Sequence, residues 1–204
     1  MKDNLKEIYN EFAREYDENR DIFDISEIIE SFWNKLSKPK GKLLDLGCGA
    51  GVPFAQSFVE KGWEVIGVDF SEEMLRAANK NVPEMKTILS DITKIEIPGN
   101  SIDAVSAIYS LFHLPKEEQS LLFKRVRKWL KPGGKFLFTY ASREYTGKDE
   151  FDGSITFMEQ ELYYSHTTPE KLRAELTKTG FSNLNFEYHE IGGEIFLWVT
   201  AGKE

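Results

Sequence analysis

A cluster of three glycines is the first feature of this 204-residue chain that suggests chemistry. Gly47, Gly49 and Gly51, with Cys48 between the first two, follow an apolar run at 43–46. Glycine lets the backbone turn tightly and approach a ligand closely, and a helix is expected directly after these residues. The pattern is typical of a strand-to-helix turn that holds a cofactor, although a plain tight turn uses the same residues.

Two aspartates follow the next two apolar runs and strengthen the case for a cofactor. Asp69 comes directly after the run at 65–68, and Asp91 follows the run at 87–89. A carboxylate at the end of the second strand can accept hydrogen bonds from both hydroxyls of a ribose. Each aspartate alone is more often a solvated or capping residue. Together with the glycine loop, they predict a ligand site at one edge of a parallel sheet.

Histidines are the candidate proton acceptors. His113 lies just past the fourth apolar run, and His166 ends a long segment at 142–167. A neutral histidine can take a proton near pH 7, so both are candidate catalytic residues. His113 is favoured as the base, with a structural histidine as the alternative. His166 is expected to line the pocket or to flank the following helix, and His189 is placed on a hairpin strand without a role.

The elements that position these residues follow an alternating pattern. Apolar runs and helical stretches alternate from residue 42 onward, which predicts an α/β, doubly wound, mainly parallel sheet. The expected strands are 43–46, 65–68, 87–89, 102–108 and 136–140, and the expected helices between them are 52–61, 71–80 and 115–130. Ser71 is the predicted N-cap of the second of these helices.

The two ends of the chain depart from that alternation. Residues 1–38 show two helical patterns and are expected to form an N-terminal cap. Residues 142–167 have weak periodicity and are long for a loop, so they are interpreted as a substrate-side lid. A helix is predicted from Thr168 to Gly180, and a hairpin at 183–191 and 194–200 around two glycines. The whole range 1–204 is expected to be one domain.

In these motifs the chain resembles the class I S-adenosylmethionine-dependent methyltransferases. The resemblance covers roughly residues 41–140 and implies a Rossmann-like, seven-stranded sheet with an antiparallel last strand. Residues 9–17 also resemble the cap helix of the members that act on small molecules. The matching residues are Leu-Asp-Leu-Gly-Cys-Gly-Ala-Gly at 44–51, Val-Ile-Gly-Val-Asp-Phe-Ser at 65–71, Ser-Asp-Ile at 90–92, Ile-Asp-Ala-Val at 102–105 and Trp-Leu-Lys-Pro-Gly-Gly-Lys-Phe at 129–136.

The resemblance also implies where S-adenosylmethionine binds. The glycine loop would hold the methionine end of the cofactor, and Asp45 would orient its amino group. Asp69 would bind the ribose hydroxyls, and the residues beside it and Asp91 would surround the adenine. The implied cofactor-binding residues are Tyr16, Asp45, Gly47, Cys48, Gly49, Gly51, Asp69, Phe70, Met74, Asp91, Ile92, Ala107 and Tyr109.

The predicted function is methyl transfer to an oxygen or nitrogen of a small-molecule acceptor. A nicotinamide dinucleotide is disfavoured as cofactor because the glycines lack the G-x-G-x-x-G spacing. A protein or RNA substrate and a non-enzymatic, cofactor-binding role stay as alternatives.

Composition limits the partners. The 34 acidic and 26 basic residues give a net charge of -8, which disfavours nucleic acid. One cysteine excludes an intramolecular disulfide, and no metal site is predicted. The charged first residues predict no signal peptide, and no run is long enough to cross a membrane. The expected location is the cytoplasm, with a monomer and a homodimer both compatible.

Overall fold

The protein is built on nine strands within the residues that the computed structural model describes, which are 2–15, 24–157 and 159–204. In chain order they are β1 (Lys42–Leu46), β2 (Glu64–Asp69), β3 (Lys86–Leu89), β4 (Ile102–Ala107), β5 (Leu130–Tyr140), β6 (Phe151–Phe157), β7 (Gln160–His166), β8 (Ser182–Ile191) and β9 (Glu194–Gly202). Seven of them form one sheet, and β6 and β7 form a separate pair.

The order of the large sheet is β3-β2-β1-β4-β5-β9-β8. The first five strands are parallel, whereas β9 runs antiparallel to β5 and to β8. The order reverses direction at β1 and β4, and ligands of open α/β sheets bind at such a point. The predicted fold class, a mainly parallel seven-stranded sheet that ends in an antiparallel hairpin, is confirmed.

Helices cover both faces of the sheet. One apolar core contains buried residues of the first four helices, and the second contains those of the fifth and seventh. Within the described residues, none of these helices is long and apolar enough to span a membrane. The helices are α1 (Lys2–Glu15), α2 (Ser26–Asn34), α3 (Phe54–Glu60), α4 (Glu72–Asn81), α5 (Lys116–Trp129), α6 (Arg143–Thr146) and α7 (Pro169–Thr179), with a 3-10 turn at Leu111–His113.

Helix caps fall where the sequence predicts them. The Ser71 side chain accepts a hydrogen bond from the backbone N–H of Met74, and Thr168 accepts one from that of Lys171. Gly180 ends α7 with φ +95°, a conformation that glycine adopts without steric cost. The N-cap at Ser71 fixes the chain direction directly after Asp69.

The boundary between the predicted helix 115–130 and the predicted strand 136–140 is wrong. The helix ends at Trp129, and β5 begins at Leu130, six residues before the predicted start. Leu130 pairs with Ile102, and the register then shifts before Lys135 pairs with Ala104. The irregular part of the strand contains Pro-Gly-Gly at 132–134. Because proline and glycine usually indicate a turn, the sequence did not reveal that the strand begins before them.

Residues 142–167 are not the long loop that their weak periodicity suggested. They contain α6 and the β6–β7 hairpin, whose strands pair from Phe151 with His166 to Phe157 with Gln160. In β6, half-buried residues alternate with exposed ones, as one face packs on the first core. Gly153 and the polar residues interrupt the apolar signal of this alternation, which explains why the sequence did not reveal it.

Candidate active site

The glycine loop has the geometry that its composition predicts. Gly47, Gly49 and Gly51 have φ angles of +74°, +51° and +78°, which residues with a Cβ rarely adopt. A Cβ on Gly47 would lie 2.5 Å from the Cβ of Ser110, so glycine is also required by space. The backbone N–H groups of Gly47 and Cys48 donate to the Val68 carbonyl over 2.7 and 3.1 Å. The loop is therefore tied to the end of β2.

Asp69 is buried at the end of β2 and joins the glycine loop to its own backbone segment. Its carboxylate accepts hydrogen bonds from the N–H of Gly49 over 3.0 Å and from that of Ser71 over 2.9 Å. Burial raises the pKa of this carboxyl, while the backbone donors at Ser71, Gly49 and Phe70 lower it. Since a carboxylate offers about four lone-pair positions, it retains capacity for another donor. The predicted hydrogen bonds of Asp69 to ribose hydroxyls stay a prediction.

Asp45 lies inside β1 and is 4% exposed. The Ser106 hydroxyl of β4 donates to it over 2.6 Å. Burial raises the pKa of Asp45 to about 6, and the nearby charge of Asp69 adds to the rise, whereas the Ser106 hydrogen bond opposes it. Ser106 did not stand out in the sequence, because a serine within an apolar strand has no spacing that identifies it.

The Asp91 side chain folds back onto its own segment. Its Oδ1 accepts hydrogen bonds from the Thr93 N–H over 2.8 Å and from the Thr93 hydroxyl over 2.7 Å. Ile92 is buried in the second core. These contacts hold the turn after β3 in place, and the predicted adenine contacts of Asp91 and Ile92 stay predictions.

Phe70 and Met74 lie between the glycine loop and the N-terminal helix. The Tyr9 ring of α1 meets the Phe70 ring edge to face at a centroid distance of 5.9 Å. Asn10 of α1 accepts a hydrogen bond of 2.6 Å from the Ser71 hydroxyl. The buried Met74 sulfur is the nearest atom, at 3.9 Å, to a Cβ built on Gly49. Helix α1 therefore covers the part of the edge where Asp69 lies.

The turn after β4 is strained at Tyr109. This residue follows Ala107 and Ile108 with φ +52°, which is unusual for a bulky side chain and is typical of functional sites. Its N–H donates to the Thr139 hydroxyl over 2.6 Å. The next residue, Ser110, donates to the Leu46 carbonyl over 2.8 Å and so joins this turn to the glycine loop.

His113 is buried and both of its ring nitrogens have partners. Nδ1 lies 2.8 Å from the Tyr163 carbonyl oxygen, and Nε2 lies 2.9 Å from the Tyr9 hydroxyl. A carbonyl only accepts, so Nδ1 carries the proton and Nε2 accepts a hydrogen bond from Tyr9. Burial lowers the pKa of His113 to about 4, and the Tyr163 carbonyl partly opposes this. The imidazole is therefore neutral at neutral pH.

The second candidate histidine has different partners. His166 is fully buried at the end of β7, with Nε2 2.7 Å from the Thr146 hydroxyl and Nδ1 3.2 Å from the Thr167 carbonyl. Its ring stacks on that of Phe151 at 6.3 Å. None of these contacts involves the Tyr9–His113 pair. The geometry supports a role for His166 in anchoring the hairpin, and its predicted catalytic role gains no contact that supports it.

Three residues that the sequence analysis named remain, which are His189, Cys48 and Tyr16. His189 lies on β8, as predicted for a hairpin strand. Cys48 is buried in the glycine loop, and burial raises the pKa of its thiol. Tyr16 lies outside the described residues. Among the side chains that the structure does describe, no group of three or more His, Cys, Asp and Glu is placed to hold a metal ion.

Sequence reasoning missed the most informative residue, Tyr9. It lies on α1, 104 residues before His113, and its hydroxyl meets the histidine only in the folded chain. Its helical spacing in the N-terminal segment indicated an apolar face and no more. The available signal was the resemblance of residues 9–17 to a cap helix, because Tyr9 is the first residue of that range.

A family profile described as a methyltransferase domain matches residues 43–134. This range runs from β1 to the Pro-Gly-Gly sequence of β5 and includes the glycine loop, Asp69 and Asp91. It leaves out α1 and the β6–β7 hairpin. The matched part therefore contains the glycine loop, Asp69, Asp91 and His113, whereas Tyr9 and Tyr163 lie beyond it.

Known proteins resemble both the sequence and the fold. Phosphoethanolamine N-methyltransferase 2 of Caenorhabditis elegans is 33% identical over 84% of this chain and 38% of its own length. An uncharacterized methyltransferase of Bacillus cereus is 26% identical over 97% of this chain and 96% of its own length. The structure of 1,6-didemethyltoxoflavin-N1-methyltransferase from Burkholderia thailandensis, with bound S-adenosylhomocysteine, has a TM-score of 0.68 at 19% identity and covers 96% of this chain and 87% of that chain.

The chain spans little more than a third of the phosphoethanolamine N-methyltransferase from Caenorhabditis elegans. The similarity to the Burkholderia thailandensis structure, at 19% identity, concerns the fold alone.

Proposed function

Because the chain belongs to the class I S-adenosylmethionine-dependent methyltransferases, we propose that it transfers a methyl group from S-adenosylmethionine to a small-molecule acceptor. The observation that carries this proposal is the meeting of two sets of residues at one edge of the sheet. The glycine loop and Asp69 form one side, and the hydrogen-bonded pair of Tyr9 and His113 forms the other.

The residues of the first side fit the cofactor. When bound, S-adenosylmethionine supplies a methyl group on a positively charged sulfur. Asp69 has lone pairs to accept hydrogen bonds from ribose hydroxyls. At Gly49, a built Cβ would lie 3.9 Å from the nearest atom, the Met74 sulfur, so the space beside this backbone is open. Asp45 presents a carboxylate for the amino group of the methionine part. Phe70, Asp91 and Ile92 would contact the adenine.

The residues of the second side fit the handling of a proton. With Nδ1 donating to Tyr163, His113 Nε2 is a fixed acceptor for the Tyr9 proton. As the small-molecule acceptor is methylated, it gives up a proton to Tyr9 Oη. At the same time, Tyr9 passes its own hydroxyl proton to Nε2 of His113. The buried imidazole accepts that proton reluctantly, because its pKa is about 4. Tyr9 and His113 therefore also serve to align the acceptor, which alone can lower a barrier by several kcal/mol.

Two elements close the acceptor side against water. Helix α1 brings Tyr9 over Phe70 and fastens itself through Asn10 to Ser71. The β6–β7 hairpin holds His113 through the Tyr163 carbonyl and packs the Tyr164 ring 4.8 Å from it. A covered site suits a small acceptor, since a protein or RNA chain needs an open groove. The similar protein of Caenorhabditis elegans is named as an N-methyltransferase, which supports a nitrogen acceptor.

The test is a transfer assay with S-adenosylmethionine that carries a radiolabelled methyl group. The protein is incubated with phosphoethanolamine, with ethanolamine, and with the small-molecule filtrate of a cell lysate. We expect label in at least one small-molecule product. Label only in the protein or RNA fraction of the unfiltered lysate would favour a macromolecular substrate. Cofactor binding without any transfer would favour a non-enzymatic role.

A further inference from the structure

Trp198 on β9 carries a buried hydrogen-bond donor that has no partner among the described residues. Its side chain is 3% exposed, and its indole Nε1 is the one buried side-chain nitrogen or oxygen of the described residues that lacks a hydrogen bond. The contrast with Trp63 is direct. That residue is 5% exposed, and its Nε1 donates to the Pro39 carbonyl over 3.0 Å.

An unpartnered donor at this position disfavours folding. Burying an N–H group without an acceptor sacrifices its hydrogen bonds to water, so nearly all buried polar groups in proteins are paired. A phenylalanine would keep an aromatic ring on the same face of β9 without this cost. The ring of Trp198 contributes to packing, but packing gives no reason for its N–H group.

The donor lies beside the strained turn of the candidate site. Trp198 pairs across the sheet with Thr139, whose hydroxyl accepts the hydrogen bond from the Tyr109 N–H. The Trp198 and Tyr109 rings meet edge to face at 5.7 Å. Two unfavourable features, the left-handed backbone of Tyr109 and the unpartnered donor of Trp198, thus lie in contact. Such features cluster at ligand sites, where the ligand compensates for them.

An aromatic cluster continues from Trp198 to the proton-handling pair. Phe196 lies two residues earlier on the same face of β9, about 7 Å along the strand. Its ring stacks on Phe112 at 5.0 Å, and the Phe112 ring lies 4.7 Å from that of His113. A small molecule that reaches from Tyr9 toward Trp198 would lie along these rings.

We propose that Trp198 binds the methyl acceptor through its indole N–H, which donates a hydrogen bond to an oxygen atom of the acceptor. This assignment rests on the proposed function and narrows the class of substrate. The acceptor carries, besides the methylated atom, an oxygen with a lone pair, as in a carbonyl, carboxylate or phosphate group. Because Nε1 is covered, neighbouring side chains must move for the acceptor to reach it.

The test replaces the indole N–H with the least change in volume. Site-specific incorporation of 3-benzothienylalanine at position 198 puts sulfur in place of N–H, and Trp198→Phe is a genetically simpler second variant. Trp63→Phe is the matched control, because it removes an indole of similar burial that is already paired. The assay uses radiolabelled S-adenosylmethionine and the small-molecule filtrate of a cell lysate, at limiting and saturating amounts of filtrate.

We expect both position-198 variants to lose at least tenfold in rate at limiting filtrate and to recover to within about threefold at saturation, since one hydrogen bond to the acceptor is lost. Their affinity for S-adenosylhomocysteine should stay within twofold of wild type. The 3-benzothienylalanine protein should melt at the same temperature as wild type or higher, whereas Trp63→Phe should melt lower without a change in acceptor dependence.

Equal rates of wild type and both position-198 variants at limiting filtrate would overturn the assignment and leave Trp198 as a packing residue. A lower melting temperature of the 3-benzothienylalanine protein with an unchanged rate would do the same. If the wild-type protein itself transfers no label, the proposed function fails, and the role of Trp198 falls with it. The two failures are therefore distinguishable.

Discussion

The Tyr9 hydroxyl lies 2.9 Å from Nε2 of His113, although the two residues are 104 positions apart in the chain. This contact joins the N-terminal helix to the turn after β4. The unprotonated Nε2 of the neutral His113 imidazole faces Tyr9. Of the two residues, Tyr9 is half-buried, whereas His113 is buried.

Tyr9→Phe and His113→Gln should each lower the rate at saturating cofactor about 100-fold, the lower end of the range for a lost acid–base group. Because the proton passes through both residues, the double variant should be little slower than either single variant. Two separate contributions would instead multiply to about 10,000-fold. The measurement is a double-mutant cycle on the transfer rate, with S-adenosylhomocysteine affinity as the control for cofactor binding.

The buried His113 should make the protein less stable in mild acid. Its pKa is about 4 in the folded protein and 6.5 as the ordinary value, so the unfolded chain binds more protons between these limits. The contribution of the neutral imidazole to the free energy of unfolding is complete above pH 6.5 and is lost as the pH falls toward 4.

The His113→Gln variant isolates this effect, because Asp45 titrates in the same range with the opposite sign. Between pH 7.5 and pH 5, wild type should lose roughly 2 kcal/mol more unfolding free energy than His113→Gln. Urea titrations of both proteins at the two pH values provide the comparison. A parallel loss in both proteins would contradict the burial of a neutral His113.

Cofactor binding should weaken below pH 6 because of Asp45. The pKa of this buried carboxyl is about 6, so it is largely protonated at pH 5 and largely ionised at pH 7.5. An ammonium group binds the ionised form better, and the affinity for S-adenosylmethionine should fall about tenfold between these values. Asp45→Asn should bind more weakly at pH 7.5 and show a flatter pH profile. A profile as steep as that of wild type would assign the titration to another group.

The cofactor half of the site could be predicted from the sequence, because its signals are local. Three glycines within five residues need positive φ angles, and Asp69 directly follows an apolar strand, so their positions follow from neighbouring residues alone. The parallel order of the sheet follows similarly from strands that alternate with helices.

The acceptor half could not be predicted, because its contacts join distant segments. Tyr9 lies on a helix whose place on the sheet depends on Asn10 and Ser71. Trp198 is ordinary in the sequence, and only the fold shows that no residue in the described part of the chain accepts a hydrogen bond from its N–H. In the β6–β7 hairpin, the half-buried positions of β6 include a glycine, and β7 ends in a polar Ser165-His166 pair that is buried, so the apolar pattern was too weak to distinguish from a loop.

The central claim is that the edge formed by the glycine loop and Asp69 binds S-adenosylmethionine. Asp69→Asn tests it, with Asp103→Asn as the control. Asp103 is a buried carboxylate at the start of β4 that pairs with Lys38 and Lys131, and it lies at the opposite edge of the sheet.

Calorimetric titration with S-adenosylhomocysteine measures the claim most directly. We predict binding of wild type and Asp103→Asn at about micromolar strength, and a loss of about 1.5–3 kcal/mol for Asp69→Asn through its hydrogen bonds to the ribose. NAD should bind all three proteins at least tenfold more weakly than S-adenosylhomocysteine binds wild type. Equal binding of S-adenosylhomocysteine and NAD by wild type, or an unchanged affinity of Asp69→Asn, would contradict the account.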